Sequence, residues 1–131
     1  MSPTGGSFIT KQTDPNSIFI AEEWNEEQLM LKKMVHDFLA TELHHLPHEP
    51  DASKDLKFIS DLLEKSAELG LCGLAIKEEY GGLDLDFNTG LLFSEAIAPG
   101  FSFATTIGAQ TSIGSLPIVY YGNETQKAKY L

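Results

Sequence analysis

The chain has 131 residues, 42% of them hydrophobic and 21% charged, which is enough for one soluble domain with a single core. Its formal net charge is −10, and all nine basic residues are lysines. Without arginine or a basic footprint, nucleic-acid binding and a dedicated phosphate clamp are argued against. The single cysteine, Cys72, lies in the apolar run Leu71–Ile76 and reads as a small buried hydrophobe in a reducing setting. No stretch is long and apolar enough for a membrane span, and MSPTGGSF has neither a signal-peptide core nor an Arg-rich transit pattern. A cytoplasmic protein is expected, although a matured organellar one would read the same.

Residues 1–24 lack helical periodicity and are expected as an extended, partly disordered lead-in. Two apolar patches, Phe8–Ile9 and Ile18–Phe19–Ile20, flank a D-P-N-S turn signal there. The first helix begins after Asn25, a good N-cap, with Gln28 completing a capping box and Trp24 and Leu29 at the positions of a hydrophobic staple. Leu31, Met34, Val35, Phe38, Leu39, Leu43 and Leu46 form its apolar stripe, and Pro47 and Pro50 close it. A second helix runs from about Ser53 to Leu69 on Leu56, Ile59, Leu62, Leu63 and Ala67, with Gly70 at the left-handed position beyond its end.

The buried run 71–76 leads into the loop K-E-E-Y-G-G-L-D-L-D. A third helix starts after Asp86 and carries Leu91, Leu92, Ser94, Glu95 and Ile97 up to the break at A-P-G. A fourth, rich in small residues, starts near Ser102. A fifth covers Pro117–Tyr121, and a sixth starts after the N-cap Asn123. The fold class is therefore all-α, a bundle of about six helices. The sixth helix reaches Leu131 without a capping signal, so the chain is expected to be cut from a longer protein.

Two clusters invite a metal reading. Asp84, Asp86, Asn88 and Glu95 stand at positions 1, 3, 5 and 12 of a calcium-binding EF-hand loop. Position 6, which needs the sharp turn of a glycine, is Thr89, and the expected entering helix is replaced by Y-G-G-L. The bland alternative is an N-cap at Asp86 and a helical Glu95. His44, His45 and His48 lie near Glu49 and Asp51, but adjacent helical residues point about 100° apart and Pro47 interrupts the helix between His44 and His48. No metal site is assigned. Asn123-Glu124-Thr125 matches a glycosylation sequon that a cytoplasmic setting leaves idle. No nucleophile elbow, Walker loop, dinucleotide fingerprint or C-x-x-C pair is present. The residues alone lead to an acidic helical bundle without a catalytic constellation.

A longer pattern resembles the N-terminal helical domain of the acyl-CoA dehydrogenase family. It comprises Ala67-Glu68-Leu69-Gly70-Leu71-Cys72-Gly73-Leu74, Glu78-Glu79-Tyr80-Gly81-Gly82-Leu83-Asp84-Leu85-Asp86, Ser94-Glu95, Gly108 to Gly114, and Tyr121 to Leu131. One departure is Lys77, where the family pattern has proline. The resemblance runs from about Phe8 to Leu131 and implies residues 25–131 as that domain, preceding an FAD-binding β-domain and a C-terminal helical domain. It implies α,β-dehydrogenation of a fatty acyl-CoA, with an electron-transfer partner and a homo-oligomeric full-length enzyme. The catalytic glutamate and the FAD site would lie beyond these residues, so no catalytic or cofactor-binding residue is assigned, and FAD is not expected on this chain alone.

The same resemblance makes this domain a wall of the acyl pocket through Thr105, Thr106, Gly108, Ala109, Gln110 and Ile113. Medium-chain relatives close that floor with larger polar side chains. G-A-Q-T-S-I-G is more similar to very-long-chain members and points to long acyl groups. The alternative is that these small residues only let helices pack closely. A related acyl-CoA oxidase or flavin monooxygenase, or a stand-alone helical interaction or calcium-binding module, are the other functional expectations.

Overall fold

The computed structural model describes Thr10, Gln12, Asp14, residues 23–46 and residues 54–131. Within the lead-in, Thr10 is helical and Glu23 lies in a 310 turn; the patches Phe8–Ile9 and Ile18–Phe19–Ile20 lie outside the described residues. So do Pro47, His48, Glu49, Pro50, Asp51 and the expected start of the second helix at Ser53. Among the described residues six α-helices follow in chain order: α1 Glu26–Glu42, α2 Leu56–Glu68, α3 Phe87–Ile97, α4 Phe101–Ala109, α5 Leu116–Tyr121 and α6 Glu124–Tyr130. There is no strand among the described residues, and no helix there is long and apolar enough to cross a membrane.

Local chemistry starts these helices. Gln28 N–H donates to Asn25 Oδ1 at 2.9 Å, and Asn25 N–H donates back to Gln28 Oε1 at 3.0 Å, closing the capping box of α1. Asn123 and Gln126 repeat the exchange at α6, both bonds at 2.9 Å. Thr89 N–H donates to Asp86 Oδ1 at 2.9 Å at the head of α3. α1 is shorter than the stripe suggests. It ends at Glu42 and passes into a turn, yet Leu43 stays buried and Leu46 packs against the core.

The core joins Leu31, Val35, Phe38, Leu39 and Leu43 of the first segment to Ile59 and Leu62 of α2, to Phe93, Ala96 and Ile97 of α3, and to Phe103 and Ile107 of α4. Phe38 and Phe103 meet with ring centroids 5.9 Å apart, a tilted aromatic pair. α2 departs from its expected stripe. Leu56 is 70% exposed and Ala67 is exposed, while Ser66 is fully buried. Ile59, Leu62 and Ser66 set the inward line, and Ala67 turns about 100° away from it. The Ser66 hydroxyl tolerates burial because it donates to Leu63 O at 2.8 Å and lies 3.5 Å from Cys72 Sγ.

After α2 the chain reverses at Gly70, which takes φ 78° as the C-cap geometry requires. Leu71, Leu74 and Ile76 are buried, and the returning loop is laced to this run. Leu83 N–H donates to Gly73 O, Asp84 N–H to Ile76 O and Leu85 N–H to Leu74 O, at 3.0, 2.8 and 2.8 Å. The second glycine of the pair makes this crossing possible, since a Cβ on Gly82 would lie 2.0 Å from Ile76 O. Between Ala109 and α5 the backbone widens into a π-helical turn, Gln110–Gly114, that periodicity did not indicate.

Candidate functional site

The acidic loop resolves into ordinary surface chemistry. Asp86 is spent on the N-cap of α3, and Thr89 is buried in its first turn. Glu95 pairs with Lys32 of α1 at 2.8 Å, and that hydrogen bond holds its carboxyl below the usual range. Glu78, Glu79 and Asp84 are exposed. His44 and His45 are exposed in the turn after α1. Among the described residues no three or more His, Cys, Asp or Glu side chains converge as a metal site.

α3 and α4 meet at the 310 corner Ala98–Gly100 and splay apart to leave a cleft of about 330 Å3. Its α3 side is Phe93, Ser94, Ile97 and Ala98; its α4 side is Phe101, Ala104, Thr105 and Gly108. A larger cavity of about 490 Å3 lies beside it, between α3, the loop 84–86, the π turn and α5. Leu85, Leu91, Phe93, Leu116 and Val119 give it apolar walls, with Ser94, Thr111 and Ser112 at its edge. Both volumes fall in the range of about 300–1,000 Å3 typical of small-molecule sites.

Hydroxyls along α4 and the π turn are turned back onto their own helix. Thr106 donates to Ser102 O at 3.1 Å, Thr111 to Ile107 O at 2.9 Å, Ser112 to Gly108 O at 2.5 Å and Ser115 to Gln110 O at 2.7 Å. A face written with polar letters therefore offers mainly methyl and backbone edges, a surface suited to hydrocarbon.

The residues singled out from sequence are only partly gathered. Thr105 and Gly108 line the smaller cleft. Thr106 and Ala109 are half-buried beside it, Gln110 is exposed, and Ile113 is 79% exposed on the π turn. Sequence reasoning missed the α3 side of the cleft, and it missed Phe101, although Phe101 lies four residues before Thr105 and so on the same helical face. It also missed Thr111 and Ser112, whose placement depends on the π turn.

An all-α domain with an apolar cleft between its third and fourth helices is thus defined. The acyl-CoA dehydrogenase N-terminal domain family matches residues 25–131. A probable acyl-CoA dehydrogenase of Bacillus subtilis (strain 168) is 38% identical over 128 residues, covering 97% of this chain and 21% of that protein. The mitochondrial isovaleryl-CoA dehydrogenase of Bos taurus is 36% identical over 133 residues, covering 95% of this chain and 30% of its own length. A crystal structure of an acyl-CoA dehydrogenase complexed with FAD from Bacillus anthracis superposes with a TM-score of 0.86 at 38% identity, over 97% of this chain and 22% of that one. The chain belongs to the acyl-CoA dehydrogenase family, as its N-terminal domain, and spans between a fifth and a third of the length of these relatives.

Proposed function

We propose that this domain serves a flavin-dependent enzyme that dehydrogenates fatty acyl-CoA thioesters between the α and β carbons, and that it supplies one wall of the acyl pocket. The observation that carries the reading is the match of residues 25–131 to the family, supported by the fold it shares with an acyl-CoA dehydrogenase complexed with FAD. FAD is expected to be held by other parts of the enzyme. The chain has no arginine, and Lys32, Lys33, Lys57, Lys65, Lys77 and Lys127 are each within 4.0 Å of an acidic partner. These pairings occupy most of the cationic charge among the described residues, and the family resemblance assigns the flavin and the base that takes the α proton to other parts of the enzyme.

The contribution of this chain is to bind and orient the acyl tail. Of the wall the resemblance implies, Thr105 and Gly108 line the cleft, Thr106 and Ala109 are half-buried, and Gln110 and Ile113 are exposed in this domain. Long acyl groups are the preferred substrates, a reading supported by the open space beside Gly108, where an added Cβ would meet no heavy atom within 4 Å. A separate electron-transfer partner and homo-oligomeric assembly complete the reading and rest on the family alone.

The test is to purify the product of the full reading frame and, separately, residues 1–131. The longer product is expected to carry flavin and to reduce a dye with acyl-CoA, while residues 1–131 stay colourless and inactive. A flavin-free longer product that oxidises no acyl-CoA would overturn the reading.

A further inference from the structure

We infer that Ser115 is a positioning residue of the acyl wall: its buried hydroxyl holds the π turn Gln110–Gly114 in the form that faces Gln110 and Ile113 away from the bundle. The inference rests on the reading above.

The register of α4 shows the turn's effect. Phe103 and Ile107 are fully buried and stand one turn apart. A regular helix advances about 100° per residue, so seven residues make about 700° and would bring Gly114 back under Ile107. Gly114 is exposed instead, and the next buried residue on the inward line is Ser115, at 5% exposed. One residue has been inserted into the helix, and the π turn is where it is absorbed. The insertion carries Ile113 by part of a turn away from the inward line, leaving it 79% exposed. Gln110, at the start of the turn, is exposed as well.

A side chain holds the widened turn. Ser115 N–H is used on Ser112 O, three residues back. Its hydroxyl makes the longer reach and donates to Gln110 O at 2.7 Å, the five-residue spacing of a π-helix. The hydroxyls of Thr111 and Ser112 keep the four-residue spacing of an α-helix, bonding Ile107 O and Gly108 O. An apolar side chain at 115 would occupy the same inward place without supplying the bond to Gln110 O. Gly114 lets the turn close, since a Cβ there would lie 3.2 Å from Ala109 O and 3.7 Å from Gln110 Oε1. Thr105 and Gly108 face the cleft while Gln110 and Ile113 face outward, so Ser115 sets the angle between two parts of the wall without touching a substrate itself.

The test compares wild type, Ser115→Ala, Ser115→Thr and Gly114→Ala in the full reading-frame enzyme. The measurements are kcat and KM for its best saturated acyl-CoA and the calorimetric Kd of the matching enoyl-CoA product. Ser115→Ala is expected to raise KM and Kd by about five- to tenfold with kcat within about twofold, because the wall binds while the reacting groups lie elsewhere. Ser115→Thr keeps the hydroxyl and should restore both constants. Gly114→Ala crowds the closure from the backbone side and should act in the direction of Ser115→Ala; it answers in its place if that variant does not fold. Wild-type KM and Kd in both alanine variants, or equal impairment of Ser115→Thr and Ser115→Ala, would overturn the positioning role. A wild-type enzyme that oxidises no acyl-CoA would instead remove the underlying function, and this inference with it.

Discussion

Gln28 Nε2 donates to Thr89 Oγ1 at 2.9 Å in a buried bond that spans 61 positions of sequence and ties the head of α1 to the head of α3. Both residues also serve their own helix, Gln28 through the capping box and Thr89 through the bond its N–H gives Asp86. Gln28→Ala removes the box arm and leaves the Thr89 hydroxyl without this partner. A loss of about 2 kcal/mol is expected by urea unfolding, and Thr89→Ala should cost a similar amount. The double variant should cost about 1 kcal/mol less than the two added, because the second change has no bond left to break. Simple additivity would show that the bond does not couple the two helices.

The double glycine of the loop is not interchangeable. A methyl on Gly82 would sit 2.0 Å from Ile76 O, a backbone atom that cannot swing aside. Gly82→Ala should therefore destabilise by about 3 kcal/mol or more. Gly90, inside α3, has nothing within 4 Å of an added Cβ, so Gly90→Ala should stabilise by about 0.5–1 kcal/mol through helix propensity. Thermal unfolding of the two variants should move in opposite directions. A neutral Gly82→Ala would mean that the loop crossing is looser than its hydrogen bonds indicate.

What sequence made legible follows from range. The caps Asn25, Asp86 and Asn123 are settled within three residues, so their side chains and spacing were sufficient. Val35, Leu39 and Leu62 repeat at helical steps and are buried as the stripe requires. The Gln28–Thr89 bond was not legible, because nothing local says which helices adjoin. Ser66 was passed over as polar, whereas its hydroxyl finds Leu63 O and goes inside. The π turn shifts every residue after Ala109 by part of a turn, so a face drawn on regular helical steps through 105–113 gathers Thr105 and Gly108 but not Ile113. Phe101 was hidden by an A-P-G signal that reads as a plain break.

Tyr80 links the loop to α6. Its hydroxyl donates to Glu124 Oε2, and Lys127 Nζ lies 6.0 Å from the ring centroid. The bond to Glu124 pushes the Tyr80 phenol up to about 12, and the same bond holds the Glu124 carboxyl below its usual range. A raised phenol favours the folded state below its ordinary value of 10.0, and that contribution is lost as pH rises toward about 12. The depressed carboxylate acts at the other end. Its contribution is present above its ordinary value of 4.5 and is lost as pH falls. Tyr80→Phe should remove the latest phenolate transition in an absorbance titration and flatten the stability difference from wild type in the alkaline window. An unchanged late transition would place it on another tyrosine.

Ala109 tests whether an acyl tail runs along α4. It is half-buried on the last turn of α4, beside the open floor at Gly108. If the acyl tail runs along this face, Ala109→Glu fills the path and sets a carboxylate against methylenes. Each displaced methylene forfeits about 0.8 kcal/mol of burial. Losing two or three should lower kcat/KM for the longest substrates by about one order of magnitude or more, at about 1.4 kcal/mol per tenfold. Short substrates should hardly change, because their tails end before this turn. The measurement is kcat/KM against acyl length in wild-type and variant full-length enzyme. A uniform fall at every length would mean that the small residues of α4 serve close helix packing and that the tail runs elsewhere.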